Sequence, residues 1–275
     1  MKKAARRPAA ERLVEEGFFL RKEEALPYFL GGQVFLGQER VLSPAQPVPD
    51  DKPLTVRGLD LPYVAKGGLK LEGALRDFSV SPQGRVCIDA GACTGGFTDC
   101  LVKKGAALVY AVEVGFGQLA GSLRQNPHVV NLEKTNLSDE KLKSLSPRPT
   151  LASVDLSYLS LRKAVPAFAQ IMGYEGELLC LVKPLFEVED AAARRTGVLE
   201  PGVYVPLLKS LIRDINSQER TRVMGVTNSP VTGNGGTLEF FLHVVLGNDG
   251  LAPDLTDAAE AAAVRALQLD SYKKT

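Results

Sequence analysis

The chain has 275 residues, enough for one large domain or for a medium and a small one, and its 45% hydrophobic composition can build a core without disulfide or metal staples. A net charge of +1 argues against a protein that coats DNA, and only two histidines, His128 and His243, leave little for a histidine-rich metal site or a Ser-His-Asp triad, so no metal is expected. Cys87, Cys93, Cys100 and Cys180 show no C-x-x-C spacing, and no apolar run approaches the roughly 18 residues of a membrane span, so a reduced, cytoplasmic protein with no membrane partner is expected.

Charge is uneven at the start. Lys2, Lys3, Arg6 and Arg7 come with no acid among them and read as a solvated arm, either touching phosphate or without a role. Residues 1–58 then read as a small α+β module. Apolar residues at helical spacing predict helices over 11–16 and 21–29, the second interrupted by Pro27 and ended by Gly31-Gly32. Residues 33–36 and 54–56 read as short strands between proline-rich turns. Residues 59–64 look like a linker.

From residue 65 to 247 the pattern changes to alternating helices and short apolar strands. Strands are predicted over 85–89, 109–113, 129–132, 151–155, 177–183, 221–226 and 238–245. Helices fall at 68–78, 97–104, 162–169 and 205–216. This alternation predicts an α/β fold, a doubly wound and mostly parallel sheet of the Rossmann-like type. Residues 248–275 form an extension whose Ala-rich part, 254–267, reads as a helix covering a sheet edge. Arg194-Arg195 sits in a loop after the fifth strand, either clamping RNA or simply mobile.

The strongest local motif runs from Asp89 to Thr98, reading DAGACTGGFT after a strand and into a helix. Ligands of open α/β sheets bind at the carboxyl ends of strands, and glycines there let the backbone approach them. The spacing is neither a P-loop nor G-x-G-x-x-G. Its D-x-G-x-x-x-G-G pattern favours S-adenosylmethionine over NAD, with Asp89, Gly91, Thr94, Gly95, Gly96 and Phe97 as candidate contacts. Glu113, about twenty residues on at the end of the next strand, is placed to accept hydrogen bonds from ribose hydroxyls. Asn136, after the third strand, either contacts adenine or caps a turn.

Four charged residues complete the pattern. Lys70 lies in the helix before the sheet, Asp155 ends the fourth strand, Lys183 ends the fifth and Glu239 begins the last. Converging over the pocket, they suit methyl transfer to a hydroxyl. An ammonium group stabilises the developing alkoxide, acids orient the ammonium, and the sulfonium is already a good leaving group, so no metal is required.

With these motifs in place, the chain resembles the TlyA family, whose members join an S4 RNA-binding domain to an FtsJ-like methyltransferase domain. The resemblance covers about residues 11–245 and rests on five blocks in order: Tyr63 to Leu71, Asp89 to Asp99, Val112 to Leu119, Val154 to Leu161 and Leu181 to Glu187. It implies a ribosomal RNA 2′-O-methyltransferase, with cytidine as target nucleoside and ribosomal RNA or assembled subunits as partner. It also implies a catalytic tetrad at Lys70, Asp155, Lys183 and Glu239, with Lys183 activating the hydroxyl and the others supporting it. Asp155 then also borders the cofactor.

The S4-like module departs from the family pattern. Its second helix begins Arg21-Lys22-Glu23-Glu24, with two acids beside two bases, and its turn reads Leu36-Gly37-Gln38. Arg21, Lys22, Arg40 and the junction residue Lys66 remain candidate phosphate contacts, each equally readable as a solvated surface charge. The competing readings are an RNA-binding protein that has lost catalysis, a methyltransferase of non-RNA substrates, and the membrane-lytic haemolysin whose label such relatives have carried. The intact tetrad opposes the first, the N-terminal module the second. The lack of any long amphipathic or apolar helix opposes the third.

Overall fold

The computed structural model describes residues 5–16, 18–19, 21–57, 62–157, 159–188, 193, 199–233 and 236–269. Lys2, Lys3, Tyr158, Arg194 and Arg195 lie outside these described residues. Among the described residues no helix is long and apolar enough to cross a membrane.

The N-terminal unit runs β1 (Arg6–Pro8), α1 (Ala9–Glu15), α2 (Lys22–Leu30), β2 (Val34–Leu36), β3 (Glu39–Arg40), β4 (Pro47–Pro49) and β5 (Leu54–Val56). It has a core of its own, with Ala9, Leu13, Ala25, Phe29, Val34 and Leu54 buried together. The three-stranded sheet β3-β2-β5 lies on one side. Helix α2 runs through Pro27, giving up one backbone bond, and ends where the Gly31 N–H donates to the Pro27 carbonyl at 2.8 Å. The reading of Arg6 and Arg7 as a loose arm is corrected. Arg6–Pro8 pairs antiparallel with Pro47–Pro49, and the Arg7 guanidinium lies 2.9 Å from Asp50. A dipeptide of arginines carries no strand signal, and the pairing is set by a partner 41 residues away.

The larger unit runs α3 (Gly67–Asp77), β6 (Val86–Ala90), α4 (Gly96–Lys103), β7 (Leu108–Val112), α5 (Gly121–Arg124), β8 (Val129–Leu132), β9 (Leu151–Val154), α6 (Leu161–Ile171), β10 (Gly176–Val182), α7 (Pro184–Glu187), α8 (Tyr204–Asn216), β11 (Thr221–Asn228), β12 (Phe240–Leu246) and α9 (Thr256–Leu267). Its seven strands pair in the order β11-β12-β10-β9-β6-β7-β8. Strand β12 is antiparallel to both neighbours, and the other pairings are parallel. This is the doubly wound α/β sheet that the alternating pattern predicts.

Both faces of the sheet are covered, which is why its strands read as unbroken apolar runs. Along β10, Leu178, Cys180 and Val182 join the cluster under α6 and α8, while Leu179 and Leu181 join the cluster under α3 and α4. Helix α9 buries Ala259, Ala262, Ala263 and Ala266 against the β11 side. Arg265 fastens it by donating to Asn228 at 2.8 Å. Strand order reverses at β6: the chain runs outward through β7 and β8, then returns to place β9 on the other side. A crevice opens at such a reversal, beyond the carboxyl ends of the strands. The loop after β6 stands at its mouth.

Candidate active site

That loop is held from behind by Asp89. The carboxylate is fully buried and accepts from Thr98 Oγ1 at 2.6 Å and Ser153 Oγ at 2.8 Å. Burial pushes its pKa up to about 6, against the two hydroxyl bonds that favour the charged form. Asp89 does not reach the cavity wall. Its two hydroxyl partners pin the loop and the start of α4 to β9. Gly95 is also off the wall. Its backbone is left-handed at φ +101°, and a Cβ there would lie 2.3 Å from Leu123. Gly91 does line the cavity. At φ +85°, a Cβ on it would meet the Asp155 carbonyl oxygen at 2.1 Å, so only glycine fits.

The cavity measures about 1520 Å³. Gly91, Thr94, Gly96 and Phe97 form its floor, with Glu113 and Asn136 on one side and Asp155 and Lys183 on the other. Glu113 accepts from the Cys93 N–H at 2.9 Å and the Gly115 N–H at 2.8 Å, which fixes its carboxylate at the end of β7. Asn136 combines two placements. It lines the cavity and caps a turn, its Oδ1 accepting from the Ser138 N–H at 3.1 Å.

The four charged residues meet as two ion pairs on the same wall. Lys183 Nζ lies 2.5 Å from Asp155 Oδ1 and 3.2 Å from Ser157 Oγ. Lys70 Nζ lies 2.5 Å from Glu239 Oε2, with side chains only 12% and 6% exposed. Neighbouring strand ends explain the first pair, since β9 and β10 run parallel in register through Val154 and Cys180. Burial works against the Lys183 charge, but Asp155 and then Glu239 outweigh it and hold its pKa above the ordinary lysine value. Lys183 is therefore an ammonium in this site, not a free amine. Among the described residues no group of three or more His, Cys, Asp or Glu is arranged to hold a metal.

The candidate phosphate contacts separate. Lys66 lies inside the cavity beside Lys70. Arg21 and Lys22 border its outer part, ion-paired with Glu24 at 3.2 Å and Glu11 at 2.6 Å. Arg40 is exposed, off the cavity wall, with its guanidinium 5.9 Å from the Phe35 ring centre. Sequence reading passed over Val114 as a cavity-lining residue and, two residues on, the exposed Phe116. Val114 and Phe116 are 66% and 65% exposed, and Lys134 Nζ stands 4.4 Å from the Phe116 ring centre. The signal was available: two apolar residues interleaved with Gly115 and Gly117 just after a strand end. It also missed Glu16, Phe19 and Glu24, which bring the N-terminal unit onto the cavity wall.

The chain matches the profile of FtsJ-like methyltransferases over residues 63–245. It is 38% identical over 234 residues to YqxC of Bacillus subtilis, covering 84% of this chain and 83% of that one. It is 36% identical over 255 residues to the 16S/23S rRNA (cytidine-2′-O)-methyltransferase TlyA of Mycobacterium tuberculosis, covering 91% and 94%. A haemolysin-named protein of Streptococcus thermophilus has a solved structure that superposes with a TM-score of 0.79, at 32% identity and 96% coverage of both chains. In sequence and in fold the chain belongs to the FtsJ-like methyltransferase family.

Proposed function

We propose that this protein transfers a methyl group from S-adenosylmethionine to a ribose 2′-hydroxyl of ribosomal RNA, with cytidine as the target nucleoside. The observation that carries the reading is the pair Lys183–Asp155, set 2.5 Å apart at the end of the glycine loop and next to the Lys70–Glu239 pair. The cavity fits the cofactor. Gly91 lines it with bare backbone packed against Asp155, and Glu113 presents a fixed carboxylate to ribose hydroxyls at the far end.

The bound cofactor supplies an electrophilic methyl on a sulfonium, a good leaving group. The protein's own part is positioning and charge. Lys183, kept protonated, stabilises negative charge growing on O2′ as its bond to hydrogen breaks. Asp155 holds that ammonium and is the acceptor for the released proton, which passes to solvent from a side chain 22% exposed. Lys70 and Glu239 hold the adjoining wall. The N-terminal unit binds RNA through Arg21 and Lys22.

The test is transfer of radiolabelled methyl from S-adenosylmethionine to purified ribosomal RNA, assembled subunits, and protein. The reading expects label in RNA, recovered as 2′-O-methylcytidine after nuclease digestion. Label in protein alone, or none with subunits present, would overturn it.

A further inference from the structure

Three lysines line the inner cavity. Lys70 and Lys183 each hold a carboxylate at 2.5 Å, but the Lys66 side chain makes no ion pair among the described residues. Its backbone is fixed. Lys66 is the residue before α3, and the turn it belongs to is packed without slack. A Cβ on Gly68 would meet the Tyr63 ring at 2.3 Å. A Cβ on Gly96, the first residue of α4, would come within 3.2 Å of the Ala65 carbonyl and the Gly67 Cα, and 3.0 Å of the Gly68 nitrogen. Lys66 therefore stands against the start of α4, the helix that opens directly from the glycine loop.

We propose that Lys66 receives the carboxylate of the cofactor's amino-acid tail. The inference rests on the cavity binding S-adenosylmethionine and assigns one end of it. Glu113 and Asn136 follow β7 and β8 and suit the nucleoside, while Asp155 and Lys183 follow β9 and β10 and flank the reacting group. The tail then has the remaining floor, Gly96 and Phe97, where the first N–H groups of α4 have no partner within the helix and favour negative charge. Lys66 supplies the full charge there.

The groups facing Lys66 are Lys70 on its own helix, Glu239 before β12 and Glu24 on α2. Burial and then Lys70 lower its pKa to about 8, and the two acids only partly offset them. A cation so placed has no ion-pair partner of its own among the described residues, and a ligand carboxylate would supply one. A charge-assisted hydrogen bond of this kind is worth roughly 10-fold to 100-fold in affinity.

Calorimetric titration with two probes tests it: S-adenosylhomocysteine, and the same compound lacking only its carboxylate, S-adenosyl-3-thiopropylamine. Lys66→Ala should weaken the first roughly 10-fold to 100-fold and leave the second no weaker. Lys66→Arg should restore much of the loss. Equal weakening of both probes would mean that Lys66 only shapes the pocket, and would overturn the proposal. Unchanged affinity for both, with loss of RNA binding instead, would overturn it in favour of a phosphate contact. If the wild-type protein bound neither probe, the cofactor site itself would have been misread and the proposal would fall with it.

Discussion

Lys183 Nζ and Asp155 Oδ1 stand 2.5 Å apart, carried by the ends of two adjacent parallel strands. The pair helps a lysine with 20% of its side chain exposed keep its proton, since Asp155 is the largest of the charges opposing burial. Lys183→Ala should lower the methyl-transfer rate by roughly 100-fold or more, the scale for losing one preorganised charge-stabilising donor. Cofactor affinity by calorimetry should stay within about twofold. Asp155→Asn should leave a lysine that loses its proton at lower pH. Over roughly pH 6 to 9.5 wild type should show no alkaline limb from Lys183, held above the ordinary lysine value, whereas Asp155→Asn should shift that limb down toward this range. An alkaline limb that stays in place would show that the ammonium form is not what the reaction uses.

Lys70 and Glu239 form the more deeply buried pair. Removing one partner strands a charge, and Glu239→Ala should destabilise the fold by about 3–5 kcal/mol in chemical denaturation. Replacing both, as Lys70→Met with Glu239→Met, should recover most of that stability, since buried pairs exchange for apolar pairs at little cost. If the pair also serves the reaction, the stable double variant will remain inactive. A stable and active double variant would confine the pair to a structural part.

Gly91, in the loop after β6, and Gly121 offer a contrast within one unit. A Cβ on Gly91 would clash with the Asp155 backbone at 2.1 Å, whereas nothing lies within 4 Å of one on Gly121, the first residue of α5. Gly91→Ala should abolish cofactor binding and lower the melting temperature, because the loop cannot yield without moving Asp155. Gly121→Ala should be neutral or slightly stabilising, by up to about 1 kcal/mol. Thermal melts with and without S-adenosylhomocysteine read both effects together.

Away from the site, Glu177 joins three strands. It lies 2.7 Å from Arg85 and 2.8 Å from His243. The His243 hydrogen bond, ahead of those from Arg85, holds its pKa down at about 2, with burial opposing. A carboxyl depressed on folding stabilises the protein above its ordinary value near 4.5, and that stability is lost as pH falls toward about 2. Because the group is partly exposed, the contribution at neutral pH is no more than about 2 kcal/mol once solvent screening is allowed for. Denaturation midpoints of wild type and Glu177→Gln should differ at neutral pH and converge as the solution is acidified through that window. A gap that persists at the acid end would point to packing, not charge.

The order of strands and helices in the larger unit was legible because buried parallel strands are continuous apolar runs and their helices keep a 3.6-residue period. That Asp155, Lys183 and Glu239 would line one cavity was legible because strand ends bound the crevice, whereas the approach of Lys70 from α3 to Glu239 was not. Contacts set by distant partners were not. The bonds that Asp89 accepts from Thr98 and, from 64 residues away, Ser153 have no signal in the motif itself. Lys66 looks like any junction lysine until Gly68 and Gly96 pack its turn against α4. The acids Glu16 and Glu24 gave no hint of facing the cavity, since that depends on how one unit sits on the other.

The N-terminal unit poses the sharpest electrostatic question, because two of its three candidate RNA contacts are already paired. Arg21 has Glu24 at 3.2 Å and Lys22 has Glu11 at 2.6 Å, all on exposed or partly exposed side chains. Exposed pairs of this kind contribute at most about 1 kcal/mol, so a polyanion can exchange with the carboxylates. Each lysine or arginine that reaches a phosphate adds roughly 0.7–0.9 to the slope of log affinity against log salt. Replacing both bases by Gln should therefore weaken RNA binding and reduce that slope by about 1.4–1.8, while Glu11→Gln with Glu24→Gln should strengthen it by freeing both cations. A slope unchanged by the first substitution would remove these residues from the RNA interface and leave the cavity lysines to carry the substrate's charge.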